Sequence, residues 1–179
     1  MLSNDLFRRA GADLSSCRRW RGRLERRCDE RDLGADGALL FIMLYPRQRT
    51  VSRTIRRCAR FGRDAGAEVL AICNLFAPRA TDPDDLLATD DPIGPEADAV
   101  LDREAIRTGR AVMAFGRPHP RLVPRARGVA ECFADAGVRL EALGVTKEGW
   151  PRHPLYLLAA MRPRPWILPA AVTLTFFGP

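Results

Sequence analysis

The chain has 179 residues, 46% hydrophobic and 28% charged, enough for one domain with a real core and too few for two comfortable ones. Its net charge of +7 is carried almost wholly by arginine, with Lys147 the single lysine, which permits a polyanionic partner without demanding one. Five scattered cysteines, Cys17, Cys28, Cys58, Cys73 and Cys132, form no C-x-x-C pair. That argues against a disulfide framework and against a structural zinc site, and fits a reducing cytoplasm. The amino terminus lacks an apolar signal core and the late run Trp166 to Phe177 is short and broken by Pro169, so neither export nor a membrane span is expected.

In chain order, the stretch before Gly34 admits two readings: a helix through Cys17, Trp20, Leu24 and Cys28, or an arginine-studded edge strand in CRRWRGRLERR. Gly37 to Tyr45 is continuously apolar and reads as a strand buried on both faces. Thr54 to Asp64 places Ile55, Cys58 and Ala59 at helical spacing and stops at Gly66. Glu68 to Cys73 is the second strand and ends on Asn74.

Asp82-Pro83 caps a short helix, Asp84 to Ala88, and Gly94-Pro95-Glu96 opens a longer one that Gly109 closes. Arg110 to Gly116 is the third strand, Pro124 to Ala136 a helix, and Val138 to Val145 the fourth strand. A polar, proline-containing loop, Thr146 to Pro154, follows. The alternation predicts a mainly parallel four-stranded sheet between helical layers, a three-layer α/β/α sandwich. The whole chain is expected to be a single domain with a core over 17–166, leaving 1–14 and 167–179 peripheral.

In a parallel sheet the carboxyl ends of the strands share one edge, where open α/β folds bind ligands. Those ends carry Tyr45-Pro46-Arg47, Asn74-Leu75-Phe76, Phe115-Gly116-Arg117, and Thr146 leading to His153. Their loops should converge on one cleft. Taken alone, Asn74 is better explained as a turn former bonding its own backbone than as a site residue. His153, stiffened by Pro154, could donate to developing negative charge or act as acid or base, or merely cap a loop. His119, between two prolines, reads as a rigid turn.

The acids Asp82, Asp84, Asp85, Asp90, Asp91 and Glu96 fall at two helix starts and are explained as caps and dipole partners. Asp82 alone lies close enough to Asn74 and Arg79 to serve as a water-positioning carboxylate. Arg47, Arg49 and Arg53 open an arginine series running to Arg63; those nearest the strand end could hold phosphate at a helix amino terminus, and the rest suit a solvated face. No glycine-rich phosphate loop, dinucleotide fingerprint, G-x-S-x-G elbow or metal-ligand spacing is present, which disfavours nucleotide kinases, dehydrogenases and serine hydrolases.

The blocks FIMLYP (Phe41 to Pro46), TIRRCARFG (Thr54 to Gly62), NLFAPRATDPDDLL (Asn74 to Leu87), DPIGPEAD (Asp91 to Asp98), AFG (Ala114 to Gly116) and GVTKEGWPRHPLYL (Gly144 to Leu157) resemble domain-of-unknown-function family 1643, a bacterial group. The order of these motifs is in turn similar to the uracil-DNA glycosylase superfamily. That resemblance implies a glycosylase-like fold in which Asn74 reads the edge of a nucleobase and His153 stabilises the departing base anion. The loop at Tyr45 and Pro46 would hold water and sugar, with Phe76 and Arg79 near the base.

It further implies a nucleic-acid or nucleotide partner, no metal or redox cofactor, and a target base extruded from its stack. Where the family pattern reads M-L-N-P-S followed by acids, this chain has Met43-Leu44-Tyr45-Pro46-Arg47 and no carboxylate between Tyr45 and Arg63. Three functions follow as alternatives: a metal-independent N-glycosidase using Asp82, an inactive nucleic-acid or nucleotide-binding module, and a hydrolase of a small nucleoside. The first two require Asn74 and His153 to face one pocket beside arginines.

Overall fold

A computed structural model describes residues 12–14, 21–27, 37–46, 53–78 and 83–170. Its elements in chain order are β1 (Ala12–Leu14), β2 (Arg21–Arg27), β3 (Ala38–Met43), α1 (Arg53–Asp64), β4 (Val69–Asn74), α2 (Pro83–Leu87), α3 (Ala97–Thr108), β5 (Arg110–Met113), α4 (Val123–Asp135), β6 (Arg139–Ala142) and β7 (Arg164–Pro165). All the strands belong to one sheet, ordered β1-β2-β4-β3-β5-β6-β7.

The centre of this sheet, β4-β3-β5-β6, is parallel, and these are the strands expected from the apolar runs. The expectation of a four-stranded sheet is nonetheless corrected. Among the described residues there are seven strands, and β1, β2 and β7 run antiparallel to their neighbours. The additional strands escape a reading based on hydrophobic runs because they pair mainly through their backbones. In β2, RGRLERR, only Leu24 enters the core, and β7 is the dipeptide Arg164–Pro165. The segment left open between helix and edge strand is thus a strand, and β1 covers its outer side.

Alternation along the central strands divides the core into two halves. Leu40 and Ile42 of β3, Ala71 and Cys73 of β4, and Met113 of β5 pack with Val100, Leu101 and Ala105 of α3 and with Ala126, Val129 and Phe133 of α4. Leu39, Phe41, Leu70, Ile72 and Val112 face the other way, against Ile55, Cys58 and Phe61 of α1. Successive strand residues point to opposite faces, so a strand buried on both must be apolar throughout, as β3 is. Helices therefore cover both faces of the sheet.

Gly109 ends α3 at φ +62°, a conformation that costs a side-chain-bearing residue more than glycine, and its N–H closes the helix on the carbonyl of Ala105. Beyond the strands, Trp166 returns under the sheet. Its indole Nε1 donates to the carbonyl of Gly149 at 2.8 Å, and its ring stands edge-on to Phe115 with centroids 6.3 Å apart. No helix among the described residues is long and apolar enough to cross a membrane.

The order of the parallel strands decides where a ligand fits. From β3 the chain moves through α1 to β4 on one side, whereas from β5 it moves through α4 to β6 on the other. Adjacent strands whose connections leave in opposite directions open a crevice at their carboxyl ends, the switch point of an open α/β sheet.

Candidate functional site

At that switch point lies a cavity of about 430 Å³. Met43, Leu44 and Tyr45 line it from the exit of β3, Asn74 from the end of β4, Phe115, Gly116 and Arg117 from the exit of β5, and His153 from the loop after β6. All the parallel strand ends contribute, as the sheet direction requires. Thr54 and Ile55 enter from the first turn of α1, and Arg21 from the start of β2.

Asn74 is the last residue of β4, and the backbone holds it on both sides. The parallel ladder runs past it, with Leu75 N donating to Met43 O at 2.9 Å and Phe76 N to Leu44 O at 3.0 Å. On the far side, Arg125 of α4 donates from Nε to Leu75 O at 3.0 Å. The side chain is 5% exposed, yet its amide nitrogen has no hydrogen-bond partner among the described residues. A buried amide left unsatisfied costs about 1–3 kcal/mol, a cost that a bound acceptor would remove.

His153 opens a short 3-10 turn, Pro154–Tyr156, in which its Nδ1 accepts from Leu155 N at 3.3 Å. A neutral imidazole that accepts at Nδ1 carries its proton on Nε2 and is a donor there. The histidine is thus both the loop cap and a cavity wall. His119 repeats the local chemistry: its Nδ1 accepts from Arg121 N at 3.3 Å ahead of Pro120. It is exposed and does not line the cavity.

Gly116 supplies the backbone turn at the β5 exit beside the histidine. Its φ is +81°, and a Cβ there would touch His153 Cβ at 3.8 Å. The neighbouring wall, Phe115, is backed by Trp150 and Trp166, each with its centroid 6.3 Å away. At the rim, Arg117 lies 3.7 Å from Glu148. The hydroxyl of Thr146, the Glu148 backbone and Arg117 hold the Glu148 carboxyl below the usual carboxylate range.

A second groove opens beside the cavity, sharing Leu155 and Tyr156 with it and lined by Arg53, Arg56, Arg57 and Arg60 of α1. Tyr156 is 80% exposed. Arg57 is used structurally, donating to the carbonyls of Pro154 and Leu157, whereas Arg53, Arg56 and Arg60 face solvent.

Among the residues expected at the site, Tyr45, Asn74 and His153 come together, and Arg53 lies in the adjoining groove. Pro46 is buried beside Tyr45 without lining the cavity. Phe76 is buried in the core half under α3 and α4, because the chain bends at Leu75 and Phe76 and strand alternation stops there. Arg47, Arg49, Arg79 and Asp82 lie outside the described residues. The acidic stretch behaves as turn chemistry at Asp91, whose Oδ1 accepts from Ile93 N at 3.2 Å and Gly94 N at 2.8 Å.

Sequence reasoning missed Arg21, Thr54 and Tyr156. Tyr156 had a usable signal, since it stands one turn beyond His153 in the same rigid HPLY segment. Arg21 had none, because its place depends on β2 running antiparallel to β4, which brings the start of β2 to the sheet's ligand edge. No described residue that lines the cavity is a carboxylate, and no group of metal-ligating side chains occurs among the described residues.

Residues 20–155 match the family described as protein of unknown function DUF1643. No curated protein and no solved structure matches the chain.

Proposed function

The chain belongs to the DUF1643 family, and from that premise we propose that its cavity recognises a nucleobase. The observation that carries this reading is the buried amide of Asn74, unpartnered at its nitrogen, on the wall of a cavity that Tyr45 and His153 also line. A side-chain amide presents a donor and an acceptor side by side, the complement of a base edge. Phe115 and Tyr45 supply flat walls of the kind against which bases pack. The order of its motifs, which resembles that of the uracil-DNA glycosylase superfamily, is in keeping with the same reading.

The catalytic form of the proposal is hydrolysis of an N-glycosidic bond. It is favoured by one specific feature, the acceptance by His153 Nδ1 from Leu155 N, which places the ring proton on Nε2, the tautomer that can donate to a departing base anion. Water would need a carboxylate from outside the described lining residues, and Asp82 is the candidate. Without it the same pocket is a binding module.

Incubation with oligonucleotides carrying uracil or other modified bases, followed by alkaline cleavage, separates these forms. Abasic sites that disappear in His153→Ala support the hydrolase. Salt-sensitive binding without abasic sites supports the module. Absence of binding to oligonucleotides, nucleosides and free bases alike contradicts base recognition.

A further inference from the structure

We propose that the arginine groove beside the cavity is the path of a single-stranded polynucleotide, with Arg53, Arg56 and Arg60 on its phosphates and Tyr156 against the face of one base. The groove measures about 530 Å³ and runs between α1 on one side and Leu155 and Tyr156 on the other. Arg53, Arg56 and Arg60 stand at spacings of three and four along α1 and so share one helix face. All three are exposed, and none makes a hydrogen bond or an ion pair among the described residues. Arg57, engaged with the carbonyls of Pro154 and Leu157, is not part of this track.

Like charges at this spacing repel one another and destabilise a helix. The first turn of α1 has no acid to offset them, and the helix's single carboxylate, Asp64, lies at its far end, 3.7 Å from Arg162. No described residue of the groove is a carboxylate. A polyanion laid along the groove offsets the repulsion, which salt only screens.

The opposite wall decides which polyanion fits. Tyr156 is strongly exposed, with its ring centroid 5.7 Å from that of His153. A bare aromatic ring facing a row of guanidinium groups is the pairing that single strands use, phosphates on the charges and a base stacked on the ring. An acidic peptide would leave the ring unused, and a duplex keeps its base faces covered.

Leu155 and Tyr156 also line the cavity, so the groove leads into it. From Arg53 to Arg60 the track runs about 10 Å along the helix, the reach of about three stacked nucleotides. A strand held there brings its next base to the cavity mouth. To that extent the proposal rests on base recognition at Asn74, whereas the arginine track does not.

The test is fluorescence anisotropy of a short, labelled, single-stranded oligonucleotide of mixed sequence, titrated with the protein at several salt concentrations. Removing three phosphate contacts in the variant Arg53→Gln, Arg56→Gln, Arg60→Gln should flatten the dependence of log affinity on log salt by about 2. Affinity at low salt should fall about tenfold or more. Arg121→Gln with Arg164→Gln, exposed arginines that line neither opening, should leave the slope nearly unchanged. Tyr156→Ala should keep the slope and weaken binding about fivefold or more.

Equal loss of slope per charge in the two arginine variants would show diffuse binding and overturn the groove. Polyglutamate competing as well as an unlabelled strand, a duplex binding as tightly, or Tyr156→Ala binding like the wild type would each overturn the single-strand assignment. Asn74→Leu separates the two readings. A strand held as tightly by Asn74→Leu as by the wild type, and lost in the arginine variant, upholds the groove and contradicts base recognition. Binding lost in Asn74→Leu and kept in the arginine variant overturns the groove alone.

Discussion

Arg57 of α1 donates from Nε to the carbonyl oxygen of Pro154 at 3.2 Å, so the helix that follows the first parallel strand holds the turn in which His153 stands. A second bond from the same guanidinium reaches Leu157 O, and its carbon lies 5.4 Å from the centre of the Phe61 ring. One face of the cavity is therefore positioned from α1 by Arg57, which does not itself line the cavity.

Replacing Arg57 by alanine removes both bonds and leaves two carbonyls to water. The expected loss is about 1–3 kcal/mol in urea unfolding. Arg57→Lys should recover only part, because an ammonium cannot reproduce the planar fork. A structural role alone would stop at stability. A positioning role also shifts the His153 ring resonances in the NMR spectrum of the folded variant and weakens ligand binding.

Glu104 is buried at the junction of α3 with β2, with its carboxylate 2.7 Å from Arg107 and 3.7 Å from Arg23. Glu104→Gln keeps the shape and removes the charge that gathers these guanidinium groups. Because the arginines are partly exposed, water offsets some of the loss, and a destabilisation of about 1–3 kcal/mol is expected by denaturant unfolding. Stability unchanged by this substitution would show the junction to be held by packing alone.

Cys132 is the exposed member of the free cysteines among the described residues. Desolvation raises its thiol pKa, with the nearby Asp102 carboxylate, 3.8 Å from Sγ, acting in the same direction. Both causes disfavour the thiolate, which is the reactive form. Iodoacetamide at neutral pH should label Cys132 more slowly than a free thiol, as read by peptide mapping. Asp102→Asn should speed the labelling.

Asn74→Leu exchanges an amide with an unpartnered nitrogen for an apolar group of similar size. A residue kept for packing would lose stability on this change. An amide kept for a ligand should instead leave the unliganded protein unchanged or more stable, by up to about 1–2 kcal/mol. Urea unfolding without ligand distinguishes the cases.

The parallel centre of the fold was legible because β3, β4 and β5 are buried on both faces and must be apolar along their length. Asn74 was legible for the related reason that a polar side chain closes such a run. What remained hidden depends on pairing rather than on hydrophobicity. β2 contributes Leu24 to the core, ion-pairs Arg23 and buries Arg21 and Arg26, so its direction, and with it the place of Arg21, is fixed only by the partner strand.

The aromatic residues make the same point. Phe76 and Phe115 both follow strands, but the bend at Leu75 and Phe76 turns Phe76 into the core, while Phe115 stays at the cavity. His119 and His153 share the His-Pro cap chemistry, and only tertiary position separates the exposed one from the cavity wall.

The central claim is that Asn74 reads a base, and the most direct measurement is calorimetric titration of wild type and Asn74→Leu with a panel of nucleosides and nucleotides. The account predicts saturable binding of at least one base-bearing ligand by the wild type, weakened about tenfold or more in a variant that is no less stable. Equal binding by both proteins, or binding by neither, would contradict it.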